Sequence, residues 1–173
     1  MNDHPQAAGR AWVYGDGIDT DVMAPSAYLN KPPEEVIHHC MEAVDPGFAS
    51  GVRPGDIFVA GEALGVGSSR EQAPQNLKSL GIRFVLAKSY GRIFYRNALN
   101  IGLPALICDS VDQIQPGDEL NIDPMTGRVE NLTRGEVIEC EPLPEHLIDM
   151  IADGGLIPHL QKKLAKKAEG ERS

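Results

Sequence analysis

The sequence is short of the residues that usually announce a chemistry. It holds three cysteines in 173 residues, Cys40, Cys108 and Cys140, with no Cys-x-x-Cys pair among them. An odd and scattered set excludes a disulfide scaffold and reads as reduced, buried thiols of a cytoplasmic protein. Aromatic side chains make up 5% of the chain, so the core must rest on Val, Ile, Leu and Ala, which a hydrophobic content of 42% allows. No run approaches the ~20 apolar residues of a membrane span. Residues 1–10 lack the apolar centre of a secretory signal. Positive charge is outnumbered, with a formal net charge of −9, which argues against general nucleic-acid binding and against docking on anionic membranes. There is no Gly-x-x-x-x-Gly-Lys-Ser/Thr, and Gly61, Gly65 and Gly67 do not make Gly-x-Gly-x-x-Gly, so phosphate-loop and dinucleotide classes drop out.

What is present concentrates in one stretch. Residues 65–76 read Gly-Val-Gly-Ser-Ser-Arg-Glu-Gln-Ala-Pro-Gln-Asn, glycines followed at once by two hydroxyls and a guanidinium. Glycine lets backbone approach a ligand closely, and a helical pattern begins directly afterwards. Free N–H groups and the positive end of a helix dipole would suit a carboxylate there. The plainer alternative is a helix cap made by Ser68 or Ser69, with Glu71 in the first turn. Arg70, Lys78, Arg83, Lys88, Arg92 and Arg96 all fall in the middle third, a basic strip beside the loop in an otherwise acidic chain. Half of these are expected to be solvated ends of elements; the rest fit a small anionic substrate.

Length predicts one domain, by a rough prior of ~150 residues each. Residues 11–14 and 56–60 read as strands, 72–80 as a helix stopped by Gly81, 83–87 as a strand, 89–98 as a helix and 104–108 as a strand. That alternation predicts an α/β fold with a βαβαβ core. Residues 32–44 carry Val36, Ile37, Cys40, Met41 and Val44 behind Pro32-Pro33, a helical stripe. From Pro116, turn clusters between short alternating runs predict a small antiparallel β module. Residues 143–165 predict a closing helix, interrupted at Gly154-Gly155 and Pro158, and the charged end from Lys162 is expected to fray. The expected organisation is a flexible N-terminus at 1–10, one domain at 11–165 and a charged tail at 166–173.

Three segments gain specificity when taken together. Gly15-Asp16-Gly17-Ile18-Asp19-Thr20-Asp21, Gly65-Val66-Gly67-Ser68-Ser69-Arg70-Glu71 and Ser89-Tyr90-Gly91-Arg92-Ile93-Phe94-Tyr95-Arg96-Asn97 resemble, in order and spacing, the swivel-domain small subunits of the aconitase-like hydro-lyases. The resemblance is above all to the 3-isopropylmalate dehydratases, with homoaconitases as close relatives, and it runs from about residue 11 to residue 165. It implies a swivelling β/β/α domain and a split active site. A large subunit would carry a 4Fe–4S cluster on its own three cysteines, with no cofactor or metal held by this chain, in keeping with the cysteines above. The cluster would act as Lewis acid on a hydroxy-diacid substrate. The resemblance makes Ser68 the base, acting as an alkoxide, and places Asp21 near it to orient it or carry protons. Arg70 would clamp a substrate carboxylate through paired N–H bonds, and Ser69, Gly67 and Thr20 complete the substrate-binding set. For Asp21 an Asx-turn is the plainer alternative. Arg92 and Arg96 are expected to be non-catalytic, one of them paired with an acid.

The chain also departs from the family pattern. Gln72 stands where the family usually has histidine, and Ala63-Leu64-Gly65-Val66-Gly67 replaces Asn-Phe-Gly-x-Gly. The specificity loop reads Tyr28-Leu29-Asn30-Lys31 rather than Tyr-Leu-Arg. Without that arginine an apolar substrate branch, as in isopropylmalate, is favoured over an extra carboxylate, although Lys31 could serve as a point charge. Homoaconitase or dimethylmalate dehydratase subunits, and a stand-alone anion-binding module without chemistry, are the alternatives. Self-association of the isolated chain stays open.

Overall fold

Short apolar runs punctuated by glycine and proline fold here as parallel strands, and the polar loops after them collect on one edge. The computed structural model describes residues 8–172. In chain order the elements are β1 (Gly9–Val13), α1 (Thr20–Met23), α2 (Pro33–Val36), α3 (Phe48–Gly51), β2 (Ile57–Ala60), α4 (Gln72–Leu80), β3 (Phe84–Ala87), α5 (Arg92–Asn100) and β4 (Ala105–Ile107). Then follow β5 (Glu119–Asp123), β6 (Arg128–Asn131), β7 (Glu136–Glu139), α6 (Glu145–Ala152) and α7 (Leu156–Gly170). The seven strands form one mixed sheet in the order β4-β3-β2-β1-β5-β6-β7. Strands β1 to β4 run parallel, while β5, β6 and β7 continue antiparallel from β1. The expected βαβαβ core and β module are both present.

The parallel strands are buried on both faces, so successive residues feed two different cores. Phe58, Ala60, Val85, Ala87 and Ala105 join Met23, Met41, Phe48, Leu64, Leu77 and Phe94 under α1, α4 and α5. Ile57, Val59, Phe84, Leu86 and Leu106 face Leu120, Ile122, Val129, Ile138, Leu143 and Met150 across the inside of the curled sheet. The β module therefore packs on the α/β half and closes the second core.

Four expectations change. Residues 32–44 do not form one helix: α2 passes into a 3-10 turn at Ile37–His39, and Met41 sits in the left-handed region at φ 66°. There its N–H reaches the carbonyl of Val22 at 2.9 Å and its side chain is fully buried. Core packing overrides the helical stripe. The break near Gly154-Gly155 is present, but Pro158 lies in the first turn of α7, where its missing N–H costs nothing. Helix α7 then runs through the segment expected to fray. Of the flexible N-terminus, residues 1–7 lie outside the described residues, and Gly9 and Arg10 already pair with Leu120 and Glu119.

Asp118 locks the β module. Its buried carboxylate accepts from the Gln115 N–H (2.9 Å), the Asn131 amide (2.8 Å) and Arg134 Nε (2.9 Å). Desolvation raises its pKa, but these three donors outweigh burial and hold the carboxyl below its ordinary value. Its stabilisation is therefore complete above the ordinary carboxylate range and is lost as pH falls through the lowered value. Asp118→Asn should cost about 2 kcal/mol at neutral pH, on the scale of hydrogen bonds to a buried charge. Thermal denaturation should show that gap closing as the solution is acidified.

Candidate functional site

Each of the three sequence motifs follows the C-terminal end of a parallel strand: the loop after β1, the loop after β2 and the turn after β3. Neighbouring strands bring the three loops side by side, at the edge where open α/β sheets bind ligands. The middle loop is bonded to both others. The Gly17 N–H reaches Glu62 O (2.8 Å), the Gly65 N–H reaches Ile18 O (2.7 Å) and the Thr20 N–H reaches Val66 O (3.3 Å). On the other side, the Leu64 N–H reaches Ser89 O (3.1 Å), the Gly91 N–H reaches Leu64 O (2.8 Å) and the Ala63 N–H reaches Ser89 Oγ (2.8 Å). Asp16 Oδ1 accepts the Glu62 N–H at 2.7 Å, and a Cβ on Gly61 would stand 1.9 Å from that oxygen. Gly65 adopts φ 79°, and a Cβ there would meet Phe94 Cγ at 2.2 Å.

This weave presents Ser68. Its residue is exposed, yet its hydroxyl lies 3.0 Å from Thr20 Oγ1, and its own N–H donates to that same oxygen at 3.1 Å. Thr20 is only 2% exposed. A hydroxyl has one proton to give. With the Ser68 N–H occupying a lone pair of Thr20 Oγ1, the Thr20 proton can point at Ser68 Oγ, and it must do so if Ser68 is an oxyanion. Ser68 therefore does not cap α4; Glu71 occupies the cap position without a side-chain bond. The N–H groups of Ser69 and Arg70 have no acceptor among the described residues, and neither does the Ser69 hydroxyl.

Arg70 is held from the neighbouring loop. Its Nη1 donates to Asp21 Oδ1 (2.9 Å) and to Ala24 O (3.3 Å), leaving the side chain 23% exposed. Asp21 also accepts the Ser26 N–H (3.0 Å). That backbone bond, followed by Arg70, keeps the Asp21 carboxyl below its ordinary range. The recorded partners of Asp21 are thus Arg70 and Ser26, and Thr20 is the residue in contact with Ser68. Asp19 caps α1 by accepting the Val22 N–H at 3.0 Å, which fixes Thr20 and Asp21 at the start of that helix.

The remaining sequence candidates divide. Gly67, at φ 130°, lies against Thr20, where a Cβ would meet Oγ1 at 3.2 Å. In the specificity loop, Tyr28 stacks on His39 with ring centroids 3.6 Å apart. Leu29 and Lys31 line a cavity of about 480 Å³ together with Gln72 and Asn76, while Asn30 is exposed. The basic strip disperses. Lys88 pairs with Asp112 (2.6 Å) and Lys78 binds the Ile101 carbonyl. Arg92 and Arg96 are exposed and have no ion pair among the described residues. Arg92 nonetheless lines an open depression of about 360 Å³ with Ser68, Val66 and Ile93. Val66 and Ile93 are exposed apolar residues that the sequence reading did not single out. Their signal was present: both sit inside the motifs, at positions that neither turn nor core requires. No group of three or more His, Cys, Asp or Glu among the described residues could hold a metal ion.

The aconitase C-terminal domain profile matches residues 23–109. The chain is 46% identical over 160 residues to the isopropylmalate/citramalate isomerase small subunit of Methanocaldococcus jannaschii, covering 91% of this chain and 95% of that one. It is 49% identical over 161 residues to a 3-isopropylmalate dehydratase small subunit of Archaeoglobus fulgidus, covering 92% and 99%. The crystal structure of 3-isopropylmalate dehydratase from Methanocaldococcus jannaschii superposes with a TM-score of 0.89 at 40% identity, covering 95% of this chain and 98% of that one. The site geometry generates its own test. Gly65→Ala combines a left-handed backbone with a clash into Phe94 and should cost about 2 kcal/mol or more. That corresponds to a fall in melting temperature of roughly 4–8 °C for a chain of this size. Gly15→Ala, with open space around its Cβ position, should change far less.

Proposed function

The chain belongs to the aconitase C-terminal domain family, among the 3-isopropylmalate dehydratase small subunits, and from that premise we propose that it supplies half of a hydro-lyase active centre. The reaction interconverts 2- and 3-isopropylmalate by loss and return of water, a step of leucine biosynthesis, in the cytoplasm. The observation that carries this reading is the hydroxyl of exposed Ser68, backed by buried Thr20 and set two positions before a clamped Arg70. The domain at 11–165 acts as the unit that closes over a large aconitase-like partner.

The cysteines of this chain do not fit an iron–sulfur cluster. Cys40 lies in one core, and Cys108 and Cys140 in the other, all buried. We assign the 4Fe–4S cluster to the large subunit, where it would act as Lewis acid on the leaving hydroxyl. This chain's own atoms handle the proton. Ser68 Oγ, as an oxyanion, takes the proton from the carbon beside a substrate carboxylate and later returns one to the adjacent carbon. Serine is too weak an acid to hold that charge without help. The Thr20 O–H and the unpaired N–H groups of Ser69 and Arg70 can stabilise it. The Arg70 guanidinium, oriented by Asp21, binds the carboxylate with paired N–H bonds. Leu29 and Lys31 lie on the loop proposed to meet the substrate branch, and an apolar alkyl group suits Leu29. The relative that is an isopropylmalate/citramalate isomerase subunit supports substituted malates as the substrate class.

Two experiments test this reading. Mixed anaerobically with a cluster-loaded large subunit, the chain should turn over alkylmalates, and Ser68→Ala should lower kcat by about 10²–10⁴-fold with assembly intact. Near-normal turnover of that variant, or tight malate binding by the lone chain without turnover on mixing, would overturn the assignment. Thr20→Val removes the donor to the oxyanion but keeps the shape. It should lower kcat by roughly 10²-fold with little change in KM, and move the pH–rate profile to higher pH. Thr20→Ser should restore both.

A further inference from the structure

The two free thiols of the second core stand at a seam, just past the ends of the two edge strands β4 and β7. Past β7, the Glu141 N–H donates to the Ile107 carbonyl at the end of β4, at 2.8 Å. The Ile107 carbonyl belongs to the peptide that joins Ile107 to Cys108, and the Glu141 N–H to the peptide that joins Cys140 to Glu141, so this one bond sets the backbones of Cys108 and Cys140 side by side. Neighbours of that kind lie within the reach of a disulfide, whose Cα atoms stand roughly 4.4–6.8 Å apart. Both residues are buried in the same core, at 1% and 8% exposure.

We propose that Cys108 and Cys140 are a dithiol that oxidises reversibly to a disulfide, tying the end of β4 to the end of β7 with little backbone movement. The two sulfurs are not equivalent. The neighbouring Cys140 thiol and the Ser110 N–H draw the Cys108 thiol below its ordinary pKa, while the Cys108 sulfur and burial push Cys140 up. Cys108 is thus the attacking thiolate. With hydrogen peroxide, Cys108 sulfur takes the outer oxygen, giving a sulfenic acid and hydroxide. The Cys140 sulfur then attacks the Cys108 sulfur, its proton leaves with the displaced oxygen as water, and the S–S bond forms. Two thiols lose two electrons and two protons, and one peroxide becomes two waters. Cys40 cannot join: it lies in the other core, and burial pushes its thiol up to about 12.

The seam is mechanically close to the site. The Tyr90 hydroxyl donates to Leu106 O (2.7 Å), with Val85 O also within 3.1 Å, and Tyr90 bridges to Leu64 in the glycine loop. A tied β4 therefore stiffens the floor of that loop, and oxidation should raise the melting temperature.

The test uses the purified, fully reduced chain, exposed to millimolar hydrogen peroxide, then denatured and alkylated. Intact mass should show three alkylated cysteines before oxidation and one after, and dithiothreitol should restore three. Peptide mapping should place the remaining alkyl group on Cys40 and the link between Cys108 and Cys140. Cys40→Ser should go from two to none, whereas Cys108→Ser and Cys140→Ser should keep two. Three alkylated cysteines after treatment, stable oxygen addition at Cys108 without a link, or links only between chains would each overturn the proposal. The wild-type map decides the matter even if a variant fails to fold.

Discussion

Hydrogen bonding of the glycine loop to the loops on either side is the constraint on which the rest depends. An isolated loop of this kind would leave its N–H and C=O groups to water and its side chains to many rotamers. Here the loop after β2 spends its backbone groups on the loop after β1 and the turn after β3. The parallel pairing of β1, β2 and β3 sets the separation between them. Glycine at 61 and 65 is what allows the chains to come this close. The result is a rigid platform on which one hydroxyl and one guanidinium can be exposed without being mobile.

Electrostatics at that platform is local. The chain is strongly acidic, yet the groups around Ser68 are donors: the Thr20 and Ser69 hydroxyls, backbone N–H groups and Arg70. Asp21 does not cancel this. It orients the guanidinium through Nη1 and leaves the other nitrogens for a ligand, while the Ser26 N–H shares its charge. The lysines further along the middle third are spent on Asp112 and a helix-end carbonyl. Counting basic residues in the sequence therefore overstated the positive field, and pairing decided which charges remained available.

The legible parts of the fold were those with strong local causes. Helix α4, stopped by left-handed Gly81, and the short buried strands follow from residue type and period. The segment at 32–44 misled because its apolar spacing is helical while its packing is not: Met41 must turn back to reach Val22. The serine pair beside a guanidinium was visible as a candidate site, but the partner of Ser68 was not, since the contact with Thr20 spans 48 positions. Nor does any local pattern reveal that Cys108 and Cys140 share a seam, because the curl that joins them is made by five intervening strands of the sheet order.

One consequence follows from where the segment at 26–31 leaves the fold. It emerges between α1 and α2 and carries few ties: Ser26 to Asp21, Tyr28 stacked on His39, and Leu29 packed against the first core. Neither Ser68 nor Thr20 draws any support from it. Under the proposed roles, appetite for a different diacid could thus be acquired by rewriting a handful of outlying letters while the proposed proton-handling apparatus, anchored elsewhere, stays untouched. Separating taste from chemistry in this way gives a lineage of such chains room to diversify without first breaking what works.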